Sequence, residues 1–411
     1  MSRFVLLACA FALALPLTPR ARAAGDPAID EIRKEIQDLK SSYEARIQAL
    51  EQRLKDAEAR AAEPVPAPVA AAPSSSGIAA FNPAISAILA GTYSHLSQDP
   101  AKFTIPGFTT GGEIGPGRRS FSLGESEFAL SANVDPHFAG TVVFSVTPDD
   151  TIHVEEAYGQ YLTAPFGLSP KFGRFLSGIG YLNEVHAHAW DFVDAPLAYQ
   201  AFLGGQHATD GVQVKWIAPL DQYLELGTDI GNGDAFPGSQ RSSNGAGSVA
   251  LYAHTGGDIG DFQNWRAGVS WLKTKSDDNG VEAESRIGIA DFVWKYAPSG
   301  NALNGSFKVQ GEYFSGRVRD AVRQTGWYLQ GVWQFLPEWR AGARFERLDP
   351  RGNDDVTYSP RKSSVMLDYN ASEFSRIRLQ LARAQMAPDL TDNQVFVQYL
   401  LSLGAHGAHK Y

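Results

Sequence analysis

The chain has a single cysteine, Cys9, and it lies inside the first apolar stretch, so nothing after it can form a disulfide or a thiolate metal site. No later segment has the run of about 18 apolar residues that a transmembrane helix needs, which excludes a helical membrane protein. Basic charge is also short. Lys and Arg number 36 against 45 Asp and Glu, the net charge is −9 and there is no basic tail, all of which argues against a nucleic-acid binder. GxSxG, HExxH, Walker and CxxC patterns are absent, and although His207 precedes Asp210, no serine can be placed beside them, so no enzyme is expected.

What is present points to an envelope. Arg3, the apolar Phe4 to Leu17 and the small-x-small Ala21-Arg22-Ala23 make residues 1–23 a signal peptide. Leu6-Leu7-Ala8 before Cys9 superficially looks like a lipoprotein box, but too little apolar sequence precedes it. At the other end, Asn393 to Ala405 sets Val395, Val397, Tyr399, Leu401 and Leu403 on one face and Gln398, Ser402 and Gly404 on the other, and the chain stops at Tyr411. Such alternation suits a strand with lipid on one side and an aqueous lumen on the other. The terminal aromatic is the address by which outer-membrane barrels are expected to meet the barrel-assembly machinery.

Between these ends the sequence has three parts. Residues 26–62 are charged and free of glycine, and Ile29, Ile32, Ile36, Leu39 and Tyr43 follow a heptad seam that Ile47, Leu50, Leu54, Ala57 and Ala61 resume after a stutter. Isoleucine at successive seam positions favours a self-associating, trimeric periplasmic coiled coil over an amphipathic helix packed on its own barrel. Residues 63–77, with Pro64, Pro66, Pro68 and Pro73, form a semi-extended linker. Residues 78–411 divide into about sixteen amphipathic strands, and the all-β class expected is an antiparallel outer-membrane β-barrel preceded by an α-helical coiled coil.

Parity supports the strand count. Every second connection is tight, as at Asp135-Pro136, Ala164 to Gly167, Pro219 to Asp221, Gly257 to Asp261, Ala297 to Gly305, Leu336 to Glu338 and Asn370 to Glu373. The others include the long ones, Gln98 to Arg118, Gly178 to Ala208, Gly233 to Gly245 and Asp349 to Pro360, as expected for short periplasmic turns and long external loops. Trp265, Trp271, Trp294, Trp327 and Trp339 are expected in interfacial girdles.

The strings FNPAISAILAGTYSHLSQDP, FSLGESEFALSANVDP, GIGYLNEVHAHAWDFVDAP and LGAHGAHKY carry a resemblance to general outer-membrane porins of the phosphate-selective and carbohydrate type, and more closely to coiled-coil-prefixed outer-membrane proteins described as zinc-regulated receptors. Residues 26–77 cannot make the folded plug of a TonB-dependent receptor, whose barrel has about 22 strands, which leaves passive diffusion of small solutes through a barrel in the outer membrane of a Gram-negative bacterium. The resemblance implies that the third external loop folds inward and narrows the pore. That loop, Gly178 to Ala208, carries Tyr181, Glu184, His186, His188, Asp191 and Asp194, while Trp190 and Phe192 are read as anchors against the wall. Alternation sends Lys215, Arg266, Lys308, Arg340, Arg344, Arg376 and Arg378 into the lumen against Glu225, Glu312, Glu346 and Asp368. Ion preference stays open, because the loop's acids could reverse the wall's basic surplus.

No cofactor is expected, with zinc the candidate exception. His186, His188 and Asp191 offer imidazole and carboxylate at a spacing an extended segment could converge on one ion, and the alternative is loop histidines bonded to carboxylates. His406 and His409 form a second pair. Two further functions are open: a zinc-linked uptake protein, and a tether in which the coiled coil joins outer membrane to cell wall.

Overall fold

A computed structural model describes residues 83–404, apart from 112–113, 148–150, 235, 237–238, 240–243, 279–280, 321, 351–355 and 357. The expectations for residues 1–23, 26–62 and 63–77 and for His406, His409 and Tyr411 lie outside the described residues. The rest is a closed antiparallel barrel of sixteen wall positions. In chain order these are β1 (Ala84–Leu96), β2 in two pieces (Ser120–Leu123 and Ser126–Asn133), β3 (Phe138–Val146), β4 (Ile152–Tyr161), β5 (Leu168–Leu176), β6 (Ala208–Ile217), β7 (Tyr223–Gly231) and β8 (Ser248–Ile259). There follow β9 (Gln263–Asp278), β10 (Val281–Tyr296), β11 (Ser306–Arg317), β12 (Gln324–Leu336), β13 (Trp339–Asp349), β14 (Arg361–Ser372), β15 (Ser375–Ala387) and β16 (Leu390–Gly404).

Each strand pairs with its neighbours in sequence, and β16 closes the ring on β1 from Ser86↔Gly404 to Leu96↔Gln394. Closure leaves no sheet edge to be satisfied by lipid, which cannot hydrogen-bond. Gly91 stands opposite Tyr399 on this seam, and a Cβ there would fall 2.2 Å from the tyrosine ring, so the lipid-facing aromatic lies over the glycine and any larger residue would displace the ring.

The two faces differ as alternation requires. Val397, Tyr399, Leu401 and Leu403 of β16 are exposed, as are Trp327, Leu329 and Trp333 of β12 and Phe345 of β13; Gln394, Gln330, Gln334, Arg344 and Glu346 are buried inside. A row of exposed apolar side chains is unfavourable in water and favourable in hydrocarbon. At the short-turn end Trp294 stacks near Tyr296, Trp333 near Phe335 and Trp339 near Tyr369, at ring separations of 6.1, 5.4 and 4.9 Å, forming part of the expected girdle. Trp271 sits instead in the middle of β9.

Two differences from the sequence reading matter. The hairpin β9–β10 runs 16 residues on each side, longer than the roughly ten residues a tilted strand needs to cross a bilayer, and it extends the wall at the long-loop end. The lumen is also not uniformly polar. Leu272, Ile287, Ile289, Phe314, Tyr328 and Leu348 point inward and pack with Leu197, Ala198, Tyr199, Phe202 and Leu203 of the third loop and with Ile105 and Phe108 of the first. An apolar core therefore fills the inside of the barrel near the long loops, because inward apolar residues there meet a folded loop and not water.

The faces predict opposite responses to one substitution. Val397→Arg, placing a charge in lipid near the middle of β16, is expected to destabilise the folded barrel by about 2–4 kcal/mol, while inward Gln398→Arg costs less than about 1. Urea unfolding in lipid vesicles measures both.

Candidate channel constriction

The segment between β5 and β6, residues 177–207, is folded inside the barrel. Its ends are tied together by Asn183, whose Nδ2 donates to the carbonyls of Ser177 and His207 at 2.7 and 2.9 Å while its Oδ1 accepts from the His207 N–H at 2.7 Å. Pro196 precedes a short helix, α1 (Leu197–Leu203), and Gly204, at φ 72°, ends it. All seven residues of α1 are buried. Trp190 donates its indole N–H to the Val185 carbonyl at 2.6 Å, and Phe192 is buried under the Arg344 guanidinium at 4.6 Å.

Charged side chains dock this loop on the wall. Glu312 of β11 accepts hydrogen bonds from the backbone N–H groups of Tyr181 (3.2 Å) and Leu182 (3.1 Å) and from the hydroxyls of Tyr199 (2.9 Å) and Tyr328 (2.6 Å). Gly180, at φ +64°, makes this cradle possible, since a Cβ there would lie 2.4 Å from a Glu312 oxygen. Asp229 of β7 similarly accepts from the Ser177 hydroxyl at 2.6 Å and the Gly178 N–H at 3.2 Å.

The loop's own acids meet the inward bases. Lys308 and Arg340 hold Asp191, the latter at 3.3 Å, and Gln330 donates to it at 2.9 Å. Asp194 pairs with Arg344 at 2.8 Å and with Lys362, and Gln380 donates to it at 2.8 Å. Burial raises both carboxyls, but the paired cations, Lys308 and Arg340 for one and Lys362 and Arg344 for the other, outweigh it and hold both below the usual carboxylate range. Lys215 pairs with Glu184, Arg266 lies 5.3 Å from the centre of the Tyr181 ring, and burial with nearby Asp191 pushes that tyrosine up to about 12. Arg376 donates to the His188 carbonyl at 2.7 Å and Arg378 to that of Trp190 at 2.9 Å, while Glu346 accepts from Arg344 at 2.8 Å and from the Leu197 N–H. The inward bases are thus partners of the loop and not a bare wall.

His186 and His188 sit across the lumen from this set, against β2 and β4, with their rings stacked at 5.9 Å. His186 Nδ1 is 2.9 Å from Glu155 and 3.4 Å from Glu127, its Nε2 is 3.2 Å from Glu156, and His188 Nδ1 is 2.7 Å from Glu127. Burial opposes the charge on His186, but its bonds to Glu155 and Glu156 and the charge of Glu127 outweigh this and raise it well above the ordinary histidine value. The expected grouping of Asp191 with the two histidines is corrected here: the Asp191 carboxylate is taken by Lys308, Arg340 and Gln330, and Glu127, Glu155 and Glu156 stand at the histidines instead.

Those glutamates escape sequence reasoning because Glu155 and Glu156 are adjacent and should face opposite ways. A register shift opposite Val143/Phe144 pairs Val143 with Glu156 and Phe144 with Val154, so Glu155 is the extra residue of a bulge and both carboxylates turn inward. Two adjacent glutamates in a strand of alternating facing are the available signal. Below the loop are two chambers of about 600 and 590 Å3. Tyr181 and Val185 border both.

These features define a porin-fold barrel with an inward third loop, a fold that points to the Gram-negative outer membrane. No protein-family model matches the chain. It belongs to the same family as an uncharacterized protein of Aquifex aeolicus (strain VF5), to which it is 30% identical over 342 residues, 72% of this chain and 71% of that one. Among solved structures it is similar to an anion-selective porin from Comamonas acidovorans (TM-score 0.54, 11% identity, 78% of this chain and 99% of that one). It is also similar to the outer membrane channel DcaP of Acinetobacter baumannii (0.51, 12%, 78% and 97%) and to a loop-deletion mutant of OmpT, an outer membrane protein of Vibrio cholerae (0.54, 12%, 78% and 99%).

His207, at the foot of the loop, gives a pH prediction. Burial alone holds its imidazole down at about 4, and its Nδ1 has no hydrogen-bond partner. Since the unfolded value is higher, this neutral histidine costs nothing above pH about 6.5, and stability falls as pH drops from there toward 4, by about 3 kcal/mol in all. Thermal unfolding followed between pH 7 and 4 should lose that component in His207→Phe.

Proposed function

We propose that the chain is a porin-like outer-membrane channel for the diffusion of small hydrophilic solutes or ions, with residues 177–207 setting its constriction. The observation that carries this reading is the docking of that loop inside a closed sixteen-stranded barrel by Asp191, Asp194, Glu184 and Glu312. A barrel of that size encloses a lumen wide enough to conduct unless something fills it, and here the filling is the third loop, held by ion pairs, with Ile105 and Phe108 of the first packed against it. The apolar packing around α1 makes the conducting path narrow and dependent on how tightly the loop is seated.

The chambers bear on selectivity. Lys215, Arg266, Lys295, Lys308, Arg340 and Arg376 line them beside Glu184, Glu225, Asp258, Asp191, Glu338 and Glu373, so neither sign predominates. Weak ion selectivity follows, because focused fields of opposite sign cancel over a Debye length. Association into trimers through residues 26–62 in the periplasm is supported by the heptad seam alone.

Purified protein in planar bilayers is expected to show small, discrete conductance steps with a reversal potential near zero under a salt gradient. Asp194→Asn, which removes the carboxylate partner of Lys362 and leaves Arg344 with Glu346 alone, should weaken loop docking by about 3–5 kcal/mol and raise conductance and current noise. Lys308→Gln with Arg340→Gln should shift the reversal potential toward cations. No conductance from any of these proteins would reject the channel reading. Deleting 26–62 should abolish trimers on native gels while leaving conductance.

A further inference from the structure

The seam where the loop meets β2 and β4 has a chemistry that channel function does not require. On the opposite wall every loop carboxylate named above meets a fixed cation, Arg or Lys. Here two histidines and three glutamates converge, and Lys171 adds positive charge on the Glu156 side only. Replacing histidines by arginines would make an ordinary anchor; imidazole instead offers a lone pair that a guanidinium lacks.

The atoms are arranged as a ligand set with its support. His186 Nδ1, Glu127 Oε2 and Glu155 Oε2 face one another, with Nδ1 at 3.4 and 2.9 Å from the two oxygens, and one ligand atom from each of these residues lies within 4.8 Å of the others. Ligands about 2.0–2.2 Å from a tetrahedral zinc ion are separated by about 3.3–3.6 Å, so these atoms stand close to three corners of such a site. Behind the histidine, Nε2 lies 3.2 Å from Glu156, whose other oxygen accepts the Leu176 N–H at 3.1 Å. With Nε2–H given to Glu156, Nδ1 faces the pair of carboxylates, and an ion bound there would displace the Nδ1 proton, the carboxylate–histidine–metal relation of built metal centres. His188 supports the set in the same way, 2.7 Å from Glu127 Oε1. Glu155 Oε1 is buried and, among the described residues, has no hydrogen bond of ordinary geometry, with Ser145 and Glu125 nearby, so that oxygen can serve as a ligand atom.

The wall is distorted to make this convergence. The bulge turns Glu155 inward beside Glu156, and across β3 from it β2 is broken between Leu123 and Ser126, just before Glu127, where the Ser126 hydroxyl caps the Ala90 N–H at 3.0 Å. Irregularities in two strands on either side of one cluster, away from the hairpin turns where the other register shifts fall, mark a position built for the side chains it presents. His188 also borders the chamber of about 590 Å3, which gives an ion a route to the seam.

We propose that His186, Glu127 and Glu155 bind a divalent zinc ion, with Glu156 and His188 as positioning residues and a fourth position left to water or solute. The ion would clamp the middle of the constriction loop to β2 and β4.

The test uses the full-length protein, folded in detergent and freed of metal by a chelator. Cobalt(II) chloride added to it should give visible ligand-field bands of a four-coordinate site, and zinc chloride should bleach them at one equivalent. Calorimetry with zinc should show one saturable site that is lost in His186→Ala and in Glu127→Gln, and weakened about 10- to 100-fold in Glu156→Gln. It should survive His406→Ala with His409→Ala. A cobalt spectrum identical to that of the hydrated ion overturns the proposal without reference to any variant. Saturable heat that persists in a folded His186→Ala protein, or that disappears with His406 and His409, overturns it as well. Conductance in bilayers is a separate readout, so failure of the metal site and failure of the channel are told apart.

Discussion

A carboxylate drawn into a low-dielectric interior must be met by donors or cations, and this requirement governs the interior of the barrel. Glu312 shows it best. Two backbone N–H groups and two tyrosine hydroxyls close on its oxygens, and each donor comes with a structural demand. The backbone donors need Gly180 in a left-handed turn, and the Tyr199 hydroxyl needs α1 at the depth where Tyr199 also touches Phe314. Tyr328 must hold its inward position on β12. Removing the carboxylate would leave four donors unpaired and release the start of the loop and its helix together. The apolar contacts around α1 therefore exist where they do because the polar contacts bring the helix there.

The wall was legible from the chain to a large degree, and the interior was not. Strand order, turn parity and facing follow from a period of two, which regular strand positions obey because lipid tests each outward position separately. Val397, Tyr399, Trp327 and Phe345 report that environment individually. The inward bases Arg340, Arg344 and Arg378 obey the same parity, so their direction was equally readable. Their partners were not, because which loop atom meets which wall atom depends on a turn such as Gly180 and on a helix seven residues long, neither of which alternation encodes. A polar lumen was expected for the same reason: inward Phe314 and Leu348 carry no mark to distinguish a position facing water from one facing a folded loop.

Glu155 and Glu156 expose a second limit of the period. Two adjacent inward carboxylates violate it, and the violation resolves only if the strand itself is irregular. Asp191, by contrast, lies three residues beyond His188 and was grouped with the histidines on proximity in sequence. Lys308 and Arg340 take it instead, since both already point into the lumen within ion-pair reach of its carboxylate.

The two sides of the loop are consequently held by different chemistry. On the side of β11 to β15 the contacts join carboxylates to Arg and Lys, whose charge is fixed over the range in which an outer membrane functions. On the side of β2 to β4 the contacts join carboxylates to imidazole, whose attraction depends on what occupies its nitrogens. A loop pinned permanently along one edge and conditionally along the other has a hinge axis set by its own sequence. Asp191 and Asp194 form the edge held through Arg and Lys, while His186 and His188 form the edge held through imidazole, with Arg376 bonded to the His188 carbonyl between them. The spacing that puts them on opposite walls is only three residues, from His188 to Asp191, with the Trp190 indole bonded back to Val185 between them. Displacing the Asp191 and Asp194 edge would take the loop carboxylates from four cations at once, leaving Arg340 to Asp368 and Arg344 to Glu346 and removing the ion-pair partners of Lys308 and Lys362.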